Sequence, residues 1–200
     1  MPLTSTGYKN KWFDSDEAFD KLLPFPMQML SRMHWTPLHI AHKAIQFLVP
    51  QNGMKVLDIG SGAGKFCIAG GYYKPFAWFT GIEQRKSLVS TAEMILDKVH
   101  IENVCFIHSN ITKIDFSKYD SFYFYNSFYE NLNGTDKIDN SIEYSNGLYY
   151  YYCRCLSKKL DEMPAGTRLA TYHSLENEIP VSFRLTETLF DNSLKFWIRQ

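Results

Sequence analysis

An acidic residue, a run of glycines and a second acidic residue form the most informative pattern in this sequence. Residues 56–64, Val-Leu-Asp-Ile-Gly-Ser-Gly-Ala-Gly, lead from an apolar stretch into a glycine-rich loop. Glycine tolerates positive φ and has no Cβ, so such a loop turns sharply and lets a ligand approach the backbone closely. Glu83 ends the next apolar stretch, at a spacing where a carboxylate can accept from both hydroxyls of an adenosine ribose. The pattern predicts a nucleoside-binding site.

The spacing of the glycines argues against a nicotinamide or flavin dinucleotide. A G-x-G-x-x-G motif would place its third glycine at position 65, where the chain has Lys65. A pyrophosphate favours a helix N-terminus without a carboxylate beside it, whereas Asp58 suits a ligand that carries positive charge. S-adenosylmethionine fits this requirement, because it has a sulfonium, an ammonium and no phosphate.

Through this loop and the second stretch Phe-Thr-Gly-Ile-Glu at 79–83, the chain resembles the class I (Rossmann-like) S-adenosylmethionine-dependent methyltransferases. The resemblance implies S-adenosylmethionine as cofactor and methyl transfer as activity. The alternative is an ordinary glycine-rich βα turn in another α/β protein. The candidate cofactor-binding residues are Thr36, Asp58, Gly60, Ser61, Gly62, Gly64, Glu83, Gln84, Asn110 and Tyr125.

Alternating strand and helix patterns place these candidates at one edge of a sheet, because ligands of open α/β sheets bind outside the carboxyl ends of the strands. We predict strands at 55–59, 76–82, 104–108, 121–125, 167–173, 183–189 and 194–198, with helices near 65–72 and 85–100 and within 142–160. The last two strands flank a Phe-Asp-Asn-Ser turn that indicates a hairpin. The predicted fold is a Rossmann-like three-layer α/β sandwich, whose mostly parallel seven-stranded sheet ends in an antiparallel hairpin.

Helices also precede the first strand. Asp14 with Glu17 forms a predicted capping box, and the prolines at 24 and 26 should interrupt the helix that follows. Thr36 is the predicted N-cap of a second helix. We therefore expect a single methyltransferase domain over residues 1–200, in which 1–50 form a helical cover and 51–200 the cofactor-binding sheet and helices.

Asn126 is the main catalytic candidate. It leaves the fourth predicted strand in Phe-Tyr-Asn-Ser-Phe-Tyr, residues 124–129. The segment is similar to the catalytic motif of amino-methyltransferases, an Asn or Asp, two prolines and an aromatic, and also resembles the Asn-Asn-Phe-Ala-Phe stretch of the non-SET histone-lysine methyltransferases. The resemblance implies that Asn126 holds the target nitrogen and Tyr129 stacks on it. Ser127 and Phe128 stand where the prolines would be, and a plain turn asparagine is the alternative.

Histidines and a Thr-Pro pair supply weaker candidates. Thr36-Pro37 resembles the segment that touches the methionine end of the cofactor in N6-adenine methyltransferases, although a helix start explains it nearly as well. His173 ends the fifth predicted strand and could accept a proton. His39 and His42 share a helix face, but no third ligand follows at metal spacing, so no metal site is predicted.

The composition of the chain limits the kinds of partner that we expect it to bind. The chain has 21 basic and 21 acidic residues without a long single-sign run, so it offers no overall electrostatic footprint for nucleic acid or an anionic membrane. The first residues show no signal-peptide pattern and no apolar run could span a bilayer. We therefore expect a soluble, cytoplasmic protein. Its four cysteines, Cys67, Cys105, Cys153 and Cys155, are expected to be reduced packing residues.

These features predict an S-adenosylmethionine-dependent methyltransferase whose acceptor is an amine on a protein side chain or small molecule. Nucleic-acid base methylation, of the N6-adenine kind, is the first alternative; a basic cluster of Lys9, Lys11, Lys21, Arg32 and Lys43 on one face would favour it. A cofactor-binding subunit that acts only by contacting a partner is the second. Oligomeric state is left open.

Overall fold

The computed structural model describes residues 11–200, with the backbone alone for Asn177. Seven strands form one sheet in the order β3-β2-β1-β4-β5-β7-β6. The first five strands are parallel, whereas β7 runs antiparallel to both β5 and β6. Their bounds are β1 Lys55–Ile59, β2 Trp78–Glu83, β3 Val104–His108, β4 Ser121–Phe124, β5 Arg168–Tyr172, β6 Phe183–Leu189 and β7 Leu194–Arg199. The predicted fold class is confirmed.

Six α-helices accompany this sheet in the described part of the chain. They are α1 Asp16–Asp20, α2 Phe25–His34, α3 Leu38–Leu48, α4 Lys65–Tyr73, α5 Lys86–Val99 and α6 Asn146–Asp161. Short 3₁₀ segments lie at Lys11–Phe13, Ile111–Lys113, Phe116–Lys118, Tyr129–Asn131 and Glu176–Glu178. Where a strand or helix after residue 50 was predicted with bounds, its observed ends differ by at most two residues.

The N-terminal cover corrects three predictions. Ser15, not Asp14, caps α1, because its hydroxyl accepts from the Ala18 N–H at 3.1 Å. The prolines at 24 and 26 begin α2 rather than interrupt a helix, since the first turn needs no backbone N–H from these positions. Pro37, not Thr36, is the N-cap of α3.

Asp16 connects the cover to the start of two other helices. Its carboxylate accepts from the Leu38 N–H at 2.9 Å and so satisfies a free donor at the start of α3. It also forms an ion pair of 2.7 Å with Lys65, which is 3% exposed and lies 2.9 Å from Asp20. Lys65 is the first residue of α4, directly after the glycine loop. The cover is thus fixed to the base of that loop.

Two apolar clusters fill the two faces of the sheet. Side chains of a strand alternate between them, so Tyr123 joins one cluster while Phe122 and Phe124 join the other. The first cluster contains α3, α4 and α5 with the rest of the N-terminal cover. The second contains α6 with the 3₁₀ segments Ile111–Lys113 and Phe116–Lys118. Buried aromatics of this kind each stabilise the fold strongly, since truncating one to alanine costs about 3–5 kcal/mol.

The four cysteines are free, but they do not share one environment. Cys67 is buried, Cys153 and Cys155 are half-buried, and Cys105 is exposed. Cys105 lies on β3, the strand at the sheet edge, so the expectation that it is a packing residue is wrong.

No helix within residues 11–200 combines the length and apolar character that crossing a bilayer requires.

Candidate active site

A cavity of about 350 Å³ opens at the carboxyl ends of the parallel strands. Its walls come from the ends of β1 to β4, the end of α2, the segment after β4 and Tyr152 of α6. Eight of the residues predicted for the site line it: Gly60, Gly62, Glu83, Gln84, Asn110, Tyr125, Asn126 and Tyr129. Five do not: Thr36, Asp58, Ser61, Gly64 and His173.

The glycine loop packs so closely against its neighbours that there is no room for a side chain at Gly60 or Gly62. Gly60 and Gly62 have φ of +76° and +54°, in the left-handed region that favours glycine. A Cβ at Gly60 would collide with Ser127, and one at Gly62 would collide with the ring of Trp35. The exposed backbone of the loop therefore forms part of the cavity wall.

Glu83 lies at the end of β2 and is 5% exposed. One carboxylate oxygen accepts from the Gly62 N–H at 3.1 Å and the other from the Arg85 N–H at 2.9 Å. Burial raises the pKa of Glu83, while these two amides and the Arg85 guanidinium act in the opposite direction. Each carboxylate oxygen has a second lone pair, so Glu83 can still accept from ligand hydroxyls.

Arg85 was not predicted as a site residue. Its guanidinium lies 2.6 Å from Glu130, 3.2 Å from Asp139 and 3.6 Å from Glu83, and donates to the Tyr144 hydroxyl at 2.7 Å. It is buried and lines the cavity. Arg85 thus ties the long segment after β4 to the end of β2. The sequence shows only a basic residue before a helix, because two of its three acidic partners, Glu130 and Asp139, are far away along the chain.

Asn110 lines the wall after β3, but its amide group is already bonded. The Nδ2 atom donates to Gln84 at 3.2 Å and to the Tyr152 hydroxyl at 3.0 Å, and Oδ1 accepts from the Thr112 N–H at 3.0 Å. Ile111 beside it is buried and also lines the cavity. This wall therefore offers an apolar surface with a fixed polar rim, which suits an adenine ring.

Asp58 lies beneath the loop rather than in the cavity wall. It is 3% exposed, and its carboxylate accepts from the Cys67 thiol at 3.5 Å. Burial raises the pKa of Asp58 to about 8. The prediction that Asp58 faces a positively charged ligand directly is not supported by this placement, because α4 covers the side chain.

Asn126 follows β4 with φ of +41°. Its N–H donates to Ser174 at 3.3 Å and its carbonyl accepts from the Tyr129 N–H at 3.0 Å. The side-chain Oδ1 is buried and, within residues 11–200, has no hydrogen-bond partner. Such atoms are rare, since buried polar groups are nearly always satisfied. An unpartnered oxygen on a cavity-lining residue indicates a place for a ligand donor.

Ser127 and Phe128 replace the two prolines of the amino-methyltransferase pattern, and each has a structural role. The Ser127 hydroxyl donates to the Ile59 carbonyl at 2.6 Å, which joins the ends of β4 and β1. Phe128 is buried, with its ring 4.9 Å from that of Phe124. The segment is therefore fixed by a hydrogen bond and packing rather than by proline rings.

The end of α2, which belongs to the predicted helical cover, forms a wall of the cavity, although the sequence singled out none of its lining residues. Met33, His34 and Trp35 all line the cavity. The Tyr125 hydroxyl donates to the Met33 carbonyl at 2.9 Å, and the Trp35 indole donates to the Met27 carbonyl at 3.0 Å. The wall is thus attached to the sheet.

Thr36 and His173, which were also predicted for the site, do not line the cavity. Thr36 is buried and shares a hydrogen bond of 2.9 Å with the Tyr123 hydroxyl, so it connects α3 to the sheet instead of lining the cavity. His173 is exposed and its ring packs 4.2 Å from that of Tyr172. Among the described residues, no group of three or more His, Cys, Asp or Glu is placed to hold a metal ion.

The comparisons with known proteins agree with this geometry. Residues 50–148 match a family model described as a methyltransferase domain. The sheet order and the cavity at the glycine loop agree with this match, and residues 50–148 belong to a methyltransferase domain of the class I, Rossmann-like kind. S-adenosylmethionine is the methyl donor of this class. No curated protein sequence matches the chain.

Solved structures share the fold at low sequence identity. An RNA methyltransferase from Salinibacter ruber, in complex with S-adenosylhomocysteine, is 17% identical with a TM-score of 0.57, over 82% of this chain and 92% of that one. TrmN from Thermus thermophilus is 14% identical with a TM-score of 0.59, over 82% of this chain and 48% of that one, so the present chain spans about half its length. A variant of MtNAS in complex with S-adenosylmethionine is 11% identical with a TM-score of 0.55, over 94% and 68%. At these identities the likeness concerns the fold, which serves many acceptors.

Proposed function

We propose that this chain transfers the methyl group of S-adenosylmethionine to an amine nitrogen of a protein side chain or a small molecule. The proposal depends on Asn126, which lines the same cavity as the glycine loop and Glu83. Among residues 11–200, its side-chain Oδ1 has no hydrogen-bond partner. An amide oxygen accepts from an N–H donor. Asn126 would therefore hold the acceptor nitrogen in position, with Tyr129 beside it.

The residues present fit the cofactor without the need for phosphate contacts. Glu83 would accept from the ribose hydroxyls, the backbone at Gly60 and Gly62 would face the methionine part, and Ile111 would contact the adenine. The cofactor supplies an electrophilic methyl carbon. The protein then needs mainly to hold the nucleophile about 3 Å from that carbon and in line with the departing sulfur.

The charge of the lining supports an amine over a phosphate-bearing acceptor. Glu83, Glu130 and Asp136 bring three carboxylates to the cavity, against the single guanidinium of Arg85. Carboxylates attract a cationic amine and repel a phosphate backbone. The lining as a whole is thus better suited to an amine than to a phosphate-bearing acceptor.

Nucleic-acid methylation remains the alternative, because one of the similar structures is an RNA methyltransferase. Among the basic residues named for it, Lys11, Lys21, Arg32 and Lys43 are exposed but stand on or after four different elements, and none lines the cavity. Lys9 lies outside the described residues. This distribution gives less support than a basic groove beside the cavity would give.

Methyl transfer can be tested with tritiated S-adenosylmethionine and three acceptor pools: spermidine, a library of lysine-containing peptides, and total tRNA. We expect label in the spermidine or peptide pool with the wild-type protein and strongly reduced label with Asn126→Ala. Label in tRNA alone would replace the amine proposal with the nucleic-acid alternative. If calorimetry shows cofactor binding but no pool is labelled, even with a cell extract added, the chain acts as a non-catalytic binding subunit.

A further inference from the structure

His34 lines the cavity, and among residues 11–200 one of its ring nitrogens has no hydrogen-bond partner. It is the last residue of α2 and belongs to the same cavity lining as Asn126. Its Nε2 is buried and makes no hydrogen bond in the part of the chain that the structure describes, as is also true of Asn126 Oδ1. An unsatisfied polar atom on each of these two lining residues indicates that a ligand in this cavity would bond to them.

Both chain neighbours of His34 are held in place. On one side, the Met33 carbonyl accepts from the Tyr125 hydroxyl at the end of β4. On the other side, Trp35 is 4% exposed and its ring occupies the space that a Cβ at Gly62 would need. His34 is thus positioned between the β4 end and the glycine loop, where a catalytic group requires a fixed place.

The surroundings of His34 suit a base that is neutral before the reaction. Burial lowers the pKa of its imidazole, and the charge of Arg85 acts in the same direction, whereas Glu130 and Asp136 act in the opposite direction. A neutral imidazole can accept a proton at neutral pH. The two carboxylates and the C-terminal end of α2 would then stabilise the imidazolium that forms.

We propose that His34 is the residue that takes the proton from the acceptor nitrogen, and that the acceptor is consequently an aliphatic amine, which is protonated at neutral pH. This inference rests on the proposed methyl transfer. The ammonium N–H bond breaks and the proton passes to Nε2 of His34, which leaves the electron pair on nitrogen. That pair forms the bond to the methyl carbon as the carbon–sulfur bond breaks, and the electrons of the broken bond remain on sulfur as a neutral thioether. The product is a methylated ammonium.

His173, the base that the sequence suggested, provides a matched control. It is also a histidine with a pKa lowered by burial, but it lies outside the cavity lining and is exposed. A change at His173 should therefore leave the chemistry at the cavity unaffected.

The first test uses two ligands that need no acceptor: S-adenosylhomocysteine, and sinefungin, in which an amine-bearing carbon replaces the methylsulfonium. Calorimetry should show that His34→Phe lowers the affinity for sinefungin about tenfold, because one charge-assisted hydrogen bond is lost. The affinity for S-adenosylhomocysteine should stay unchanged. His173→Phe should change neither. Equal weakening of both ligands by His34→Phe would show a structural role and overturn the inference.

The second test follows the His34 imidazole by NMR titration, with His34→Phe used to assign its resonance. A cation near the ring disfavours the imidazolium, so the pKa of His34 should be lower with sinefungin than with S-adenosylhomocysteine. An identical pKa in the two complexes would place His34 away from the methyl position and reject its role as base. If wild-type protein binds neither ligand, the proposed function itself fails. This outcome is distinct from both a lower and an identical pKa of His34 in the two complexes.

Discussion

The cavity wall beside β2 and the wall beside β4 differ in how their polar atoms are satisfied. On the β2 side, both oxygens of Glu83 and the whole amide of Asn110 already have protein partners. On the β4 side, Asn126 Oδ1 and His34 Nε2 have none among the described residues. We infer from this difference that the satisfied wall holds the cofactor, and that the acceptor would supply the partners that the β4 side lacks.

The largest expected effect comes from breaking the β2 side. Glu83→Ala removes the ribose acceptor and leaves the buried Arg85 guanidinium with one fewer partner. Loss of a buried, hydrogen-bonded charge costs about 2–5 kcal/mol, so we expect the Kd for S-adenosylmethionine to rise by about 30-fold to several thousand-fold in calorimetry. Glu83→Gln, which keeps the shape, should recover part of the affinity. Unchanged affinity in both variants would remove Glu83 from the cofactor site.

Changing the β4 side should lower turnover and leave cofactor binding intact. Asn126→Ala removes the oxygen that holds the acceptor, and we expect turnover to fall about 100-fold while the Kd for S-adenosylmethionine stays the same. Asn126→Asp keeps an acceptor oxygen and tolerates the positive φ, so it should retain more activity. Weakened cofactor binding with normal turnover would reverse the assignment of the two sides.

The pH dependence of stability should sharpen the comparison, because Asp58 is a buried carboxyl beneath the β2 side. The ordinary pKa of 3.8 applies to the unfolded chain, and burial raises the folded value to about 8. Between these values the unfolded chain has released a proton that the folded protein still binds, so stability falls as pH rises. The slope is at most about 1.4 kcal/mol per pH unit, and it is absent below and above this window.

Urea unfolding from about pH 5 to pH 8 would measure this contribution as the difference between wild type and Asp58→Asn, which is neutral throughout. We expect the wild type to lose stability relative to Asp58→Asn as pH rises. A constant difference across the range would mean that Asp58 titrates normally.

The smallest expected effect concerns the contact that joins the two sides. Ser127→Ala removes the hydrogen bond from the Ser127 hydroxyl to the Ile59 carbonyl, which should lower the unfolding free energy by about 1 kcal/mol. Thermal unfolding would detect this change. Thr135→Ala removes a half-buried loop hydroxyl with bonds to the Tyr129 and Leu132 carbonyls, and serves as a comparison outside the glycine loop. An unchanged unfolding free energy for Ser127→Ala would mean that its hydrogen bond does not stabilise the fold.

The sequence predicted the β2 side well, for a physical reason. A glycine loop and an acid at the end of the next strand are set by local chain geometry, so their spacing survives in the sequence. The strands after residue 50 were also predicted closely, because apolar periodicity determines them. Asn126 was found in the same way, from its place after β4.

What the sequence did not reveal depends on contacts between distant residues. Arg85 meets Glu130 and Asp139 only after the segment beyond β4 folds back. His34 reaches the cavity because α2 begins at the two prolines, which we had interpreted as helix breakers. His173 was ranked as a base because it ends a strand, but its positive φ of 52° and its packing on Tyr172 turn it away from the lining.

The position of Asp16 has a consequence for how ligands enter and leave. If α1 detached, the ammonium of Lys65 would lose its partners at the base of the glycine loop, and the first turn of α3 would lose the acceptor of its Leu38 N–H. Leaving a buried charge unpaired costs several kcal/mol, so α1 and the loop should open together as one cooperative unit, visible as matched hydrogen-exchange rates. Because this opening is costly, we expect the helical cover to stay in place while ligands exchange. S-adenosylhomocysteine would leave, and fresh cofactor would enter, between Met33 and Tyr129, two exposed residues of the lining.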